Sequence, residues 1–389
     1  MAIARPIRML GAACILLCLF LVFQLNQSSS EEGSKLVHGM KKDPLVDPTG
    51  EPVGNLWRAD EHDYSPDSEK SARTNAALIT LVRNEELGQL LSTMTDLERT
   101  WNSKFNYPYI FFNDVPFTEE FKQKTQAMTK AKCQYGTHSS PNLYPRNTGM
   151  SQNGSICPLF HESAKVLEEQ NIQYSSKISY HQMCRWNSGL FYKHPALEGY
   201  RYYWRIEPNV KFFCDVDYDV FRYMEDGNKT YGFTINLYDA PQSIPTLWPE
   251  TQRFLAANPS YLSDNNMWEW ITDDVARPEH TKMANGYSTC HFWSNFEIGD
   301  LDFFRGEKYE AYFQHLDRAG GFFYERWGDA PVHSLGVGSA ISGTTTSRTL
   351  TAPILPKCSG CKAGQFFQGA DFLSKEDCRP TYFKYVGTH

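Results

Sequence analysis

The chain has 389 residues, enough for one large domain with accessory segments, and its 41% hydrophobic and 21% charged content describes a folded protein, not a disordered one. Its 38 basic side chains against 45 acidic ones leave a net charge of -7, the wrong sign for a nucleic-acid binder. With 25 Phe, 22 Tyr and 9 Trp it can fill a large core and still offer the aromatic faces on which sugars stack.

Arg5 and Arg8 lead into an apolar run over 9–23, and polar sequence takes over at Gln24. That run is short for a plasma membrane, which needs ~20 apolar residues, and suits a thinner early-secretory one. No small-x-small cleavage site follows it, and the basic flank belongs on the cytoplasmic side. The pattern predicts a cytoplasmic tail (1–8), a signal anchor (9–25), a polar lumenal stem (26–73) and a lumenal body (74–389). Outside the apolar run lie eight cysteines, an even number that suggests disulfides in an oxidising lumen without fixing their pairing. Cys358-Ser-Gly-Cys361 lacks the context of a redox or zinc motif and reads as structural. Asn153-Gly-Ser and Asn228-Lys-Thr are glycosylation sequons, common by chance but reasonable on a lumenal surface.

Order begins at Ala76-Ala-Leu-Ile-Thr-Leu-Val82, a predicted buried strand. Asn84 is a candidate helix N-cap, with Glu85 and Glu86 suited to the first turn. Leu87, Leu90, Leu91, Met94, Leu97 and Trp101 then recur at helical spacing, and Tyr109-Ile-Phe-Phe112 reads as the next strand. Such a strand–helix–strand unit predicts a parallel sheet whose ligands lie beyond the carboxyl ends of the strands. Arg83 stands there, suited to an anionic group or to a surface salt bridge. Thr118 can cap a helix running to about residue 130, and 158–170 reads as another. Tyr180 and Arg185 are hydrogen-bonding candidates in an aromatic-rich segment.

Tyr202-Tyr-Trp-Arg-Ile206 predicts a buried strand, interrupted at Glu207-Pro208 because proline has no N–H for the ladder. Asp215, Asp217 and Asp219 alternate beyond it, either as oxygen ligands for a hard cation or as a solvated acidic turn. They do not make an EF-hand, since Val220 and Asp226 stand where that loop needs glycine and glutamate. Residues 230–236 read as a strand, and the Pro-, Trp- and Asn-rich region 239–285 as acceptor-side loops more than core. Glu297 lies among Trp293, Phe296 and Ile298, either a satisfied buried carboxylate or a catalytic one. Segment 320–334 combines flexible glycines and aromatics with Asp329 and His333.

Taken together, Leu81-Val-Arg-Asn84, Phe112-Asn-Asp-Val-Pro-Phe117, segment 180–192, Trp204-Arg-Ile-Glu-Pro208, His291-Phe-Trp-Ser-Asn-Phe-Glu297 and segment 321–334 resemble the fungal Golgi α-1,2-mannosyltransferases, glycosyltransferase family 15. The resemblance runs over about residues 75–338. It implies a GT-A-like α/β fold with a mixed, mainly parallel central sheet, carried on a single-pass type II Golgi anchor. It also implies GDP-mannose as donor, a mannoside acceptor in O- or N-glycan elongation, Mn²⁺ as cofactor and retention of configuration. Glu207 would be the metal ligand, with Asp215 and Asp217 as rivals, and Glu297 the catalytic nucleophile. Arg83, Tyr180 and Asp329 would lie around the donor. One departure concerns 339–354, a Ser/Thr-rich tract where the family has a strand and a His-containing segment with a second metal ligand. Either His333 substitutes, or the site is incomplete, or the tract is a misread intron, the explanation favoured here. The departure keeps open a catalytically impaired member acting as a lumenal binding or assembly partner. A lectin, binding mannosides without GDP, is the third alternative.

Overall fold

The computed structural model describes residues 73–137, 158–212, 215–339, 351–353 and 375–386. The predicted tail, anchor and nearly all of the stem lie outside these residues, as does most of the atypical tract. Among the described residues no helix is long and apolar enough to cross a membrane.

Strands β1 (Ala76–Leu81), β2 (Tyr109–Asn113), β3 (Cys133–Thr137), β4 (Tyr202–Ile206), β5 (Tyr231–Phe233), β8 (Phe296–Asp300) and β9 (Thr351–Pro353) form one sheet in the order β3-β2-β1-β4-β8-β5-β9. β8 alone runs against its neighbours, so the sheet is mixed and mainly parallel. A separate antiparallel pair joins β6 (Asn236–Tyr238) to β7 (Cys290–Phe292).

The period of two along each strand sorts the core into two layers. Ala76 and Leu78 of β1, with Trp204 of β4, pack under α1 (Leu87–Leu97), α2 (Glu119–Ala127) and α5 (Val220–Asp226). Ala77 and Ile79, with Tyr203, face the other layer. That layer holds α3 (Pro158–Glu169), α4 (Ile178–Gly189), α6 (Leu247–Ala257), α7 (Glu307–Ala319), α8 (Asp329–Gly338) and α9 (Arg379–Val386).

The strand–helix–strand opening forms as the periodicity predicts, with Leu90, Met94 and Leu97 buried on one helix face. Asn84 is not the N-cap. It lies in a short turn before α1, and its amide instead bridges to the carbonyl of Pro116 and the N–H of Thr118. Thr118 does cap α2, accepting from the Phe121 N–H at 3.1 Å, and that helix stops at Ala127. The predicted strand over 230–236 breaks, giving β5 and β6 in different sheets. Region 239–285 contributes more to the core than expected: Leu247, Trp248, Trp270 and Ile271 are all buried, because helix α6 and a short turn fold their aromatics inward, while the stretches between them stay near the surface. Among the described cysteines, Cys290 and Cys378 are bridged, while Cys133 and Cys184 are buried free thiols.

Candidate active site

Arg205 is the penultimate residue of β4 and is buried on the α4–α8 face of the sheet. A buried guanidinium needs carboxylate partners to offset lost hydration. Three surround it. Its Nε donates to Oε1 of Glu207 at 2.5 Å, a terminal nitrogen donates to Oδ2 of Asp329, and Oε1 of Glu297 lies 3.8 Å away. The antiparallel register explains the last contact, since Glu297 of β8 stands directly opposite Arg205 and projects from the same face.

Each partner is fixed by its own element. Glu207 sits just past β4, where Pro208 ends the ladder. Asp329 and His333 are four residues apart at the start of α8 and therefore share one helix face. Ser294 Oγ also donates to Asp329 Oδ2, at 2.8 Å. Glu297, 1% exposed, accepts on both oxygens: Tyr203 O–H to Oε1 at 3.1 Å, Tyr231 O–H to Oε2 at 2.6 Å, and His333 Nδ1 lies 2.9 Å from Oε2. His333 Nε2 is 2.9 Å from the carbonyl of Asn187 on α4. A carbonyl only accepts, so that nitrogen carries a proton, and both ring nitrogens are committed to protein partners. His333 therefore does not substitute as a metal ligand in this arrangement.

The charges respond to this sharing. Burial opposes the charge on Arg205, yet Asp329, Glu207 and Glu297 outweigh it and hold the guanidinium well above its ordinary pKa. Asp329 is likewise penalised by burial but is kept below the usual carboxylate range by Arg205 and His333. Glu207 goes the other way: burial pushes it up, and Arg205 offsets only part of that. No hydrogen bond from the described residues reaches the second oxygen of Glu207 or of Asp329.

Tyr180, on the first turn of α4, is half-buried beside this network. The Arg326 guanidinium lies 6.0 Å from its ring centroid and donates to Asp239 Oδ1 and Ser243 Oγ, both at 2.9 Å. The neighbouring Cys184 thiol and burial raise the Tyr180 phenol, which stays a hydrogen-bond donor. Arg83 does not join the network. It follows β1, the strand beside β4, and its 61%-exposed side chain pairs with Glu86 at 3.1 Å and Glu85 at 3.5 Å. The Asp215–Asp219 triplet does not converge on a common point: Asp215 is 68% exposed near Arg99, and Asp219 caps α5 while accepting from the Tyr107 hydroxyl.

The model of the family described as "Glycolipid 2-alpha-mannosyltransferase" matches residues 32–345. The chain belongs to this family. Glycolipid 2-alpha-mannosyltransferase 2 of Candida albicans is 44% identical over 70% of this chain and 56% of its own length. Probable mannosyltransferase KTR4 of Saccharomyces cerevisiae is 40% identical over 81% and 70%. The chain thus spans 56% and 70% of the length of these two family members. Among solved structures, core-mannan synthase A of Aspergillus fumigatus in its Mn/GDP form is 66% identical, with a TM-score of 0.75 over 90% of this chain and 95% of that one. Yeast Ktr4p in complex with GDP is 34% identical, with a TM-score of 0.70 and 94% of each chain covered.

Proposed function

We propose that the chain is a retaining α-1,2-mannosyltransferase that moves mannose from GDP-mannose to a mannoside acceptor during protein glycan elongation. The observation that carries this is the buried network at the carboxyl end of β4, where three carboxylates share one guanidinium. Surplus hard oxygen at that edge fits a hard divalent cation, and the Mn/GDP form of the Aspergillus relative supports Mn²⁺ as that ion. Glu207, with a free oxygen, would hold it. Among the described residues no three acidic, His or Cys groups cluster closely enough to do so unaided, so Glu207 is one ligand of several. Bound there, Mn²⁺ supplies positive charge against a departing diphosphate.

The protein's own groups do the rest. Asp329 turns its free oxygen toward a sugar hydroxyl, with Arg205 and Ser294 fixing the carboxylate. Tyr180 donates to the donor substrate, and Arg83 exchanges its exposed glutamate partners for phosphate oxygens. Glu297 is the candidate nucleophile. Both its oxygens already accept hydrogen bonds, so one donor yields before a bond from the carboxylate to C1 forms and the C1–O bond to the diphosphate breaks. The compartment is the Golgi lumen, reached through a type II anchor at 9–25 and a stem at 26–73. The Cys290–Cys378 bridge supports an oxidising environment.

The test is GDP release from GDP-mannose by the detergent-purified full chain, with methyl α-mannoside and with or without Mn²⁺. A Mn²⁺-dependent α-1,2-linked product is expected. Binding of GDP and Mn²⁺ without transfer overturns the assignment.

A further inference from the structure

We infer that Asn228 carries an N-linked oligosaccharide on the edge of the sheet opposite the active site. The inference rests on the lumenal compartment proposed above, and on four features of the fold. Asn228-Lys-Thr230 has the acceptor spacing. Asn228 follows α5 in a turn with a left-handed φ of 51°, beside exposed Asp226 and Gly227. Asparagine tolerates that backbone conformation, which by itself accounts for the residue but not for threonine two positions on. Among the described residues the partly exposed Asn228 side chain has no hydrogen-bond partner, and it is not among the buried polar atoms that lack one, so its amide reaches solvent.

The location is permissive as well. Thr230 directly precedes β5, and its carbonyl accepts from the Asp300 N–H at the far end of β8. Arg201, just before β4, pairs with Asp300 at 3.4 Å on the same edge. Glu207 follows β4 at the other edge, so the full strand, about 16 Å at 3.3 Å per residue, separates the two sites. A glycan at Asn228 therefore grows away from the donor and acceptor.

The transfer balances simply. Asn228 Nδ2 attacks C1 of an oligosaccharide carried on a polyprenyl diphosphate. The N–C1 bond forms, the C1–O bond breaks, the diphosphate leaves with its electron pair, and the amide loses one proton to base.

The experiment uses the full chain purified from a fungal secretory pathway. Peptide N-glycanase release in H₂¹⁸O should convert Asn228 to ¹⁸O-labelled aspartate, read by peptide mass. Asn228→Gln should remove one glycanase-sensitive increment of mobility and leave mannose transfer unchanged, whereas Thr230→Ser should keep both. An unmodified Asn228 peptide in protein whose Cys290–Cys378 bridge is intact overturns the inference and leaves the compartment standing. An unmodified peptide together with free Cys290 and Cys378 thiols overturns the compartment and the inference with it.

Discussion

Glu207 and Glu297 sit within reach of one guanidinium but make different demands on it. Glu207→Gln keeps the shape that accepts from Arg205 and removes the charge facing a cation. Mn²⁺ affinity should fall by at least the ~10–100-fold that loss of a mere outer-shell partner costs, measured as the Mn²⁺ dependence of turnover. Glu297→Gln should abolish transfer while GDP binding, followed calorimetrically, stays near wild type. Near-normal turnover in that variant would remove Glu297 from the chemistry. Titration adds a further expectation. Folded Glu207 holds its proton to higher pH than the unfolded chain, where the group ionises near its ordinary ~4.3. Across that interval the folded state binds more protons, so this group's contribution to stability falls as pH rises. A cation at Glu207 relieves the penalty. The thermal shift produced by Mn²⁺ should therefore grow as pH climbs from about 4.5 through the raised pKa. A shift that shrinks over that range contradicts Glu207 as a ligand.

Among the elements, α4 and α7 meet so closely that position 189 has no room for a side chain. A Cβ on Gly189 would lie 2.1 Å from ring atoms of Phe313, well inside contact distance. Gly189→Ala should cost roughly 1–3 kcal/mol in denaturant unfolding. Because α4 also carries Tyr180 and the Asn187 carbonyl, the variant should raise the KM for the donor too. The sequence exposed elements unevenly. β1, α1 and β2 were legible because their apolar periods are long and uninterrupted. Region 239–285 was not: its prolines and asparagines suggested loops, while the burial of Trp248 and Trp270 depends on contacts with distant segments. Asp329, Glu207 and Glu297 were visible as motif residues, but Arg205, which joins them, passed as one member of an aromatic strand. A single arginine inside a run otherwise fit for burial was the available signal, since it cannot be buried there unpaired. The partners of Glu297 could not be read at all, because Tyr203, Tyr231 and His333 come from β4, β5 and α8.

On the scale of the whole molecule, the Cys290–Cys378 bridge spans 88 residues and ties β7 to the start of α9. In the chain-entropy description a loop of that size contributes about 4–5 kcal/mol, so reduction should lower the unfolding midpoint sharply in dithiothreitol. An unchanged midpoint would mean that the region holds together without it. The unequal sharing of Arg205 reaches furthest. Three carboxylates around one guanidinium leave a surplus of negative charge at the carboxyl end of β4, which should favour an approaching cation and disfavour a nucleotide diphosphate. An order of arrival is therefore expected, ions first, with the affinity for guanosine diphosphate rising with Mn²⁺ concentration in a binding titration.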